Sequence, residues 1–388
     1  MTALLTREPS AATFTLSERS ASTLTLSERS ASTLTLSERS ASTLTLSERS
    51  ESKGSNAIRP AVAPREARRL LLIDPRAGTF ADRGLADLGD ALAPGDLLVL
   101  NDAATIPASF AATHRGAPLE VRLLRRLDGE RWQVVLLGEG DWRTPTEMRP
   151  APPAVTPGDV LAFGGDFGAV VDAVHPLSPR LVDLRFDRAG DALWAAIYAH
   201  GRPVQYSYQS RPLALWDVQT RYGSRPWAVE APSAGLPLTW SQLGRLAARG
   251  IGIATITHAA GLSNTGDPAI DDALPLAERY EIPAGTVRAV ASARRVIAVG
   301  TSVVRALEGS ASTNGALTAG AGETSLLIGP ESHLAVVDGL LTGIHEPTAS
   351  HFRLLQAFCA PALLARAYAS ASSAGYLCHE FGDSNLIL

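Results

Sequence analysis

The fold is decided by one stretch, Val296-Ile297-Ala298-Val299-Gly300-Thr301-Ser302-Val303-Val304-Arg305-Ala306-Leu307-Glu308. Its first four residues are apolar and mostly β-branched, which predicts a strand buried on both faces. The glycine and the two hydroxyl residues that follow predict a sharp turn that opens a helix. The stretch therefore predicts a strand, turn and helix unit, as found in layered α/β sheets.

In such a unit Gly300, Thr301 and Ser302 lie both at the carboxyl end of a strand and at the N-terminus of a helix. Free backbone N–H groups at that position bind polar or anionic groups, and open α/β sheets bind ligands at this edge. Arg305 and Glu308 lie three residues apart on one helix face. A purely structural helix start with a cap and a surface ion pair explains the same residues. The surrounding sequence therefore has to distinguish a ligand site from plain architecture.

Composition limits the classes of protein that this chain can represent. The 388 residues are 45% hydrophobic and 19% charged, which is enough for a sizeable core and about two domains. A net charge of −4 gives no global basic footprint for nucleic acid. Any RNA partner would therefore have to be bound by a local basic patch.

Cysteine usage and hydropathy indicate the cellular setting. Cys359 and Cys378 are the two cysteines, which argues against a disulfide framework and a four-cysteine zinc site, and favours a reducing, cytoplasmic location. The first residues lack the features of a signal peptide, and no run of about 18 apolar residues follows. We expect a soluble protein with no membrane association.

Residues 13–52 contain four copies of a ten-residue unit, Thr-Leu-Thr-Leu-Ser-Glu-Arg-Ser-Ala-Ser, with small variations. This period fits neither a helical heptad nor a common solenoid, and two leucines in ten residues bury too little surface to offset chain entropy. The pattern predicts a disordered N-terminal tail over residues 1–57.

The globular part has two textures. Apolar runs at 70–73, 97–100, 251–257 and 334–338 predict buried strands, and they alternate with helical spacing near 243–250, 287–293 and 350–360. These segments predict a layered α/β/α domain formed by residues 58–105 and 187–388. Between them, residues 106–186 carry short alternating segments separated by turn signals, which predict an inserted antiparallel barrel or sandwich.

Polar residues recur at predicted strand ends and helix starts in the last part of the chain. They are the small-residue turn 231–236, His258 after a strand, His345 before the last predicted helix, and Gly382-Asp383 near the C-terminus. Each one alone is most often structural. Because HExxH, CxxC, GxSxG and P-loop motifs are absent from the sequence, we expect neither metal nor covalent serine chemistry.

In order along the chain, five segments resemble the S-adenosylmethionine:tRNA ribosyltransferase-isomerases of queuosine biosynthesis. Residues 92–102 are similar to the family's L-x-P-G-D-L-L-V-x-N-D, and residues 219–236 to its Y-Q-T…A-V-A-A-P-T-A-G-L. Residues 298–308 match A-V-G-T-T-x-x-R-x-L-E, residues 336–347 resemble V-V-D-x-L-x-T-N-F-H-L-P, and residues 381–383 resemble Y-G-D. The family's α/β domain interrupted by a small β-barrel agrees with the two textures.

The resemblance implies a transfer of the ribosyl part of S-adenosylmethionine to a 7-deazaguanine base in the tRNA anticodon, with release of adenine and methionine and no metal. Such a reaction needs a base, a group that assists the leaving adenine, and walls that exclude water. From residue type alone, we predict His258 or His345 as the base, and Asp383 or Glu308 beside the leaving group or the methionine ammonium.

The resemblance also implies two binding regions and, as partner, the tRNA anticodon region. Separately, we infer no protein partner and expect a monomer. The resemblance assigns the S-adenosylmethionine site to residues of two motifs, namely Gly300, Thr301, Ser302, Arg305, Pro232, Ser233, Ala234 and Gly235. It assigns substrate binding to Asp102, Gln219 and Glu278.

Four segments depart from the family pattern, namely Ala103-Ala104, residues 202–211, residues 258–264 and the segment that ends at Glu278. The family's H-V-G-x-G-T-F is changed in residues 258–264, and its H-x-M-H-x-E is reduced to Glu278. Cofactor motifs are thus better kept than the segments expected to face the acceptor. An enzyme with another acceptor, or a non-catalytic RNA-binding descendant, remains an alternative.

Overall fold

The computed structural model describes residues 68–345 and 350–388, with no side-chain detail for Ser350. It contains strands and helices in the following order: β1 (Arg69–Asp74), β2 (Thr79–Gly84), α1 (Leu88–Ala91), β3 (Asp96–Asn101), β4 (Ala103–Thr105), β5 (Ser109–His114), β6 (Ala117–Asp128), β7 (Arg131–Leu137), β8 (Val160–Gly164), β9 (Phe167–Val174), β10 (Leu181–Phe186), α2 (Gly190–His200), β11 (Arg225–Ala228), α3 (Trp240–Ala248), β12 (Gly252–His258), α4 (Pro268–Ala273), β13 (Glu278–Ile282), α5 (Ala284–Ser292), β14 (Arg295–Val299), α6 (Thr301–Asn314), β15 (Gly320–Thr324), β16 (Gly339–Gly343), α7 (Ser350–Leu355), α8 (Pro361–Ser373) and β17 (Ser384–Ile387).

A nine-stranded sheet of order β15-β13-β12-β3-β14-β16-β17-β1-β2 forms the α/β part of the described chain. Its central strands β12, β3, β14 and β16 are parallel, so their carboxyl ends meet at one edge. All residues of β3 are buried, and they alternate between two cores. Leu97 and Val99 pack with α6 and α8 on one face, whereas Leu98 and Leu100 pack with α1 and α3 on the other. The layered arrangement predicted from the sequence is confirmed.

Strands β5–β10 form a closed antiparallel barrel of order β10-β7-β6-β5-β8-β9. Alternate residues of these strands point inward, which explains the period-two pattern of the sequence. Phe110, Phe163, Phe167 and Phe186 fill part of the interior with ring centroids 5.0–6.4 Å apart. The insertion of a β-barrel into the α/β chain is therefore confirmed, while the domain boundaries given above stay a prediction.

Two elements differ from the sequence prediction. The last parallel strand, β16, begins at Gly339 and not at Leu334, because the Glu308 carboxylate accepts hydrogen bonds from the backbone N–H groups of residues 335–337. The helix predicted over 350–360 ends at Leu355, and α8 follows from Pro361. The predicted disordered tail, 1–57, lies outside the described residues.

The part of the chain that the structure describes contains no helix long and apolar enough to cross a membrane.

A buried ion-pair network joins the barrel to the segment after β7. The Glu120 carboxylate accepts hydrogen bonds of 2.6 Å from both Arg122 and Arg149, whose side chains are 2% and 0% exposed. Burial by itself would raise the pKa of Glu120, but the two guanidinium groups outweigh it, so the pKa lies below its usual value.

Replacing Glu120 by Gln should destabilise the protein, because it leaves two buried guanidinium groups without a carboxylate. We expect the free energy of unfolding in urea at pH 7 to fall by about 3–5 kcal/mol. The matched control is Glu147→Gln on the exposed surface of the same region, which should leave it unchanged. A loss below about 1 kcal/mol for Glu120→Gln would show that the network contributes little.

Candidate functional site

Polar side chains converge at the edge where the central parallel strands end. Asn101, the last residue of β3, donates a hydrogen bond to the His258 carbonyl and accepts one from the His258 N–H, each 3.0 Å long. Its amide nitrogen also lies 3.5 Å from Oγ of Ser302 at the start of α6. One buried amide therefore links the ends of β3 and β12 to the first turn of α6.

His258, Glu278 and Arg305 form a cluster beside this amide. Arg305 donates hydrogen bonds of 2.6 Å and 3.2 Å to Oε2 of Glu278, and Oε1 accepts one from the Gly261 N–H. Nε2 of His258 lies 3.3 Å from Oε2 of Glu278, but it is not oriented for a hydrogen bond. Neither ring nitrogen of this fully buried histidine has a hydrogen-bond partner in the described chain.

The cluster sets the charges of its members. Burial lowers the pKa of His258 to about 4 against the attraction of the Glu278 carboxylate, so the imidazole is neutral at pH 7. Burial would raise the pKa of Glu278, but Arg305 and the other partners bring it below its usual value. The site thus holds a neutral imidazole beside a charged pair.

Two further histidines lie near this cluster. The rings of His345 and His351 stack with their centroids 5.2 Å apart, and Nε2 of His345 is 2.9 Å from Oγ1 of Thr342 at the end of β16. Burial lowers the pKa of His345 to about 3 and that of His351 to about 4. The charge of Arg305 lowers the pKa of His351 further, and the charge of Glu278 opposes this effect. Sequence reasoning missed His351, because no motif marks it.

The start of α6 faces the small-residue turn. Gly300 has φ of 98°, and a Cβ there would lie 3.3 Å from Cβ of Ala234, within the 3₁₀ turn Ser233–Gly235. The first N–H groups of α6 have no partner within the helix. Nearby, the buried hydroxyl groups of Thr220 and Tyr222 have no hydrogen-bond partner among the described residues. These unsatisfied groups suit a ligand with a carboxylate or sugar hydroxyls.

Four of the predicted site residues form hydrogen bonds with other residues of this chain. Glu308 does not pair with Arg305, because its carboxylate binds the backbone before β16, at the other end of the strands. The Asp383 carboxylate accepts hydrogen bonds from the backbone N–H groups of Arg69 and Leu377. The Gln219 amide bonds the backbone of Thr105, and Asp102 accepts one hydrogen bond from Oγ1 of Thr257.

Of these four, Asp102 alone lies at the edge with an oxygen that has no hydrogen-bond partner in the described chain. Glu346 and Pro347, which belong to the fourth motif, lie outside the described residues.

Comparisons with known proteins give a consistent result. Residues 52–387 match the family model described as "Queuosine biosynthesis protein". The chain is 36% identical over 341 residues to an S-adenosylmethionine:tRNA ribosyltransferase-isomerase of Rhodospirillum rubrum, covering 85% of this chain and 94% of that protein. The chain belongs to the queuosine biosynthesis protein family. The resemblance seen in the sequence is thereby confirmed.

The chain is also similar to two further proteins with closely related names. An S-adenosylmethionine:tRNA ribosyltransferase-isomerase of Anaeromyxobacter sp. is 38% identical over 340 residues, covering 84% of this chain and 94% of that protein. A crystal structure of an S-adenosylmethionine tRNA ribosyltransferase from Thermotoga maritima is 26% identical, with a TM-score of 0.46, and covers 85% of this chain and 96% of that one.

One acidic residue stands where the family pattern has alanine. Oε1 of Glu230 accepts hydrogen bonds from the Tyr206 hydroxyl and from N and Oγ of Ser263, at 3.0 Å and 3.2 Å for the latter two. Oε2 has no hydrogen-bond partner among the described residues. Burial raises the pKa of Glu230 to about 7 despite these hydrogen bonds. Motif matching missed this residue because it is a departure; an acidic residue inside an otherwise apolar motif was the available signal.

The three neutral histidines predict a pH-dependent stability. Their pKa values of about 4, 3 and 4 lie below the unfolded value near 6.5, so the unfolded chain binds protons first as the pH falls. The contribution of these histidines to the free energy of unfolding should therefore be fully present above pH 6.5 and should decrease below it. Between pH 7.5 and pH 5.0 we expect His258 to account for about 2 kcal/mol of that decrease.

Urea unfolding of His258→Gln at both pH values measures this contribution. The variant should lose less stability on acidification than the wild type does, whereas the exposed His175→Gln control should behave like the wild type. Equal losses in His258→Gln and wild type would mean that His258 titrates normally in the folded protein.

Proposed function

We propose that this protein is an S-adenosylmethionine:tRNA ribosyltransferase-isomerase. It transfers and rearranges the ribosyl group of S-adenosylmethionine onto a 7-deazaguanine base of the tRNA anticodon, which gives epoxyqueuosine and releases adenine and methionine. The names of the relatives support the reaction class. The observation that carries the proposal for this chain is that His258, Glu278, Ser302 and Arg305, from three elements and separate motifs, meet at one sheet edge.

The amino-acid end of S-adenosylmethionine fits the start of α6. The N–H groups of Thr301 and Ser302 would bind the carboxylate, because a helix N-terminus carries partial positive charge. The Asp102 carboxylate oxygen that has no hydrogen-bond partner in the described chain would accept a hydrogen bond from the ammonium group of the methionine end. The turn Pro232–Gly235 forms the adjoining wall, and the unsatisfied Thr220 and Tyr222 hydroxyls supply partners for polar atoms of the same ligand.

Glu230 suits the role of proton acceptor better than the histidines do. A general base works best when its pKa is close to the working pH, and the pKa of Glu230 is about 7. The pKa of His258 is about 4, and its ring nitrogens are enclosed by protein. We therefore assign His258 to positioning of the Glu278–Arg305 pair and Glu230 to proton transfer.

The test combines purified protein, labelled S-adenosylmethionine and tRNA that carries the 7-deazaguanine precursor, followed by mass analysis of the nucleosides. We expect adenine release together with an epoxide-bearing nucleoside. Adenine release with unmodified tRNA would indicate another acceptor, an alternative that the altered segment 258–264 favours. Absence of S-adenosylmethionine binding at millimolar concentration in calorimetry would indicate a non-catalytic descendant.

Glu230→Gln should lower kcat by about 100-fold or more while KM for tRNA changes little, because general-base catalysis contributes at least that much. The wild-type rate should fall as the pH drops below about 7, where Glu230 becomes protonated, and the variant should lose this dependence. Gln keeps an acceptor for Tyr206 and Ser263, so the fold is preserved.

Glu147→Gln is the matched control and should retain the wild-type pH–rate profile. A Glu230→Gln enzyme with unchanged kcat and the wild-type profile would exclude Glu230 as the proton acceptor.

A further inference from the structure

A small cavity lies between the barrel and β13, next to the polar cluster. Its volume is about 30 Å³. We call it the arginine–tryptophan cavity after the charged and aromatic side chains that line it, which are Arg125, Arg126, Arg279, Trp132 and Trp227. We propose that Arg126 and Arg279 bind one backbone phosphate of the tRNA substrate in this cavity, an inference that rests on the proposed function.

Arg279 is held in place by an aromatic ring and has no salt bridge within the described part of the chain. Its guanidinium carbon lies 3.8 Å from the ring centroid of Trp227, a cation–π contact that fixes the plane of the group. Arg279 forms no ion pair among the described residues, although the exposed Glu323 lies opposite it on β15 at the cavity wall. Burial and the nearby charge of Arg126 lower the pKa of Arg279, and the charge of Glu323 only partly opposes them. An anion placed between the two guanidinium groups would offset their mutual repulsion.

Arg126 is positioned by the barrel. Its Nε and one terminal nitrogen donate to the Gly129 carbonyl at 3.0 Å and 2.6 Å, and its guanidinium carbon lies 5.7 Å from the Trp194 ring centroid. These contacts leave the other terminal nitrogen for a ligand. By contrast, Arg225, whose guanidinium carbon lies 5.4 Å from the same ring centroid of Trp227, pairs with Glu281 and has its charge neutralised.

The size and position of the cavity favour a phosphate of the acceptor. A volume of about 30 Å³ holds about two water molecules, so it can take one or two oxygens of a phosphate group whose remaining atoms stay outside the cavity. Gly261 and Glu278 form part of its wall, and Glu278 also binds Arg305 in the polar cluster. A phosphate bound here would therefore lie one residue layer from the proposed reaction site.

This placement also explains how an acidic protein binds RNA. The net charge of −4 opposes a polyanion, so cations without acidic partners have to be concentrated at the contact. Guanidinium groups suit this purpose because their N–H donors bind phosphate oxygens, Arg126 through its remaining terminal nitrogen and Arg279 through its planar fork.

The experiment measures tRNA affinity as a function of salt concentration for Arg126→Ala, Arg279→Ala and the double variant. Each single variant should bind about fivefold to tenfold more weakly, and its salt slope should fall by about 1, the value for one phosphate contact. Because both groups share one phosphate, the double variant should be little weaker than either single variant. Arg279→Lys should give an intermediate affinity, since it keeps the charge but loses the planar stack on Trp227.

The matched control is Arg83→Ala, an exposed arginine without an ion pair on β2, at the opposite edge of the sheet. It has the same change in net charge and should bind tRNA as the wild type does. Calorimetry with S-adenosylmethionine should give wild-type affinity for all variants, which separates this site from the one at α6.

Wild-type tRNA affinity in Arg126→Ala and Arg279→Ala would overturn the proposal and leave the proposed function intact. Weaker S-adenosylmethionine binding with unchanged tRNA binding would also overturn it, by assigning the cavity to the other substrate. A wild-type protein that binds no tRNA would overturn the proposed function, and the phosphate site with it.

Discussion

The hydrogen bonds of the Asn101 side chain are the interaction on which the site depends. This amide is buried and pairs with both backbone groups of His258, while its oxygen also accepts a hydrogen bond from the Ala103 N–H. Removing such an amide would leave several buried backbone groups without partners, which costs more than the hydrogen bonds themselves contribute. The end of β12, the end of β3 and the first turn of α6 consequently hold fixed positions, and the segment after His258 starts from a rigid point.

Carboxylates bound to backbone N–H groups stabilise the segments around this point, and their free oxygens distinguish structure from chemistry. Glu308 and Asp383 bind backbone groups through both oxygens, so neither carboxylate has an oxygen without a partner. Glu278 uses one oxygen on Gly261 and the other on Arg305. Glu230 binds its partners through a single oxygen. A carboxylate with one oxygen anchored and the other unoccupied is oriented and still able to accept a proton.

Local patterns in the sequence were sufficient for the main elements and insufficient for the contacts between them. The strand at 296–299, the helix after Gly300 and the antiparallel barrel follow from apolar runs and alternation, because these depend on residues close in sequence. The spacing of Arg305 and Glu308 on one helix face favours an ion pair between these two residues. The observed partner, Glu278, lies 27 residues away and is brought there by β13, a strand that pairs with β12 and β15. Strand β15 contains three small residues and no apolar period, so periodicity could not reveal it.

The same reasoning explains why a motif match identified the family but not the carboxylate that we propose as proton acceptor. A motif match counts the residues that two sequences share, whereas Glu230 replaces an alanine of the family pattern. The hydrogen bonds that orient its carboxylate come from Tyr206 and Ser263, which lie outside that motif. Gly261 and Ser263 belong to one short segment, held by Glu278 at the first residue and by Glu230 at the second. Because Gly261 also forms part of the wall of the arginine–tryptophan cavity, a phosphate bound there would contact the segment that positions Glu230. Binding of the tRNA backbone would then be coupled through this segment to the position of Glu230.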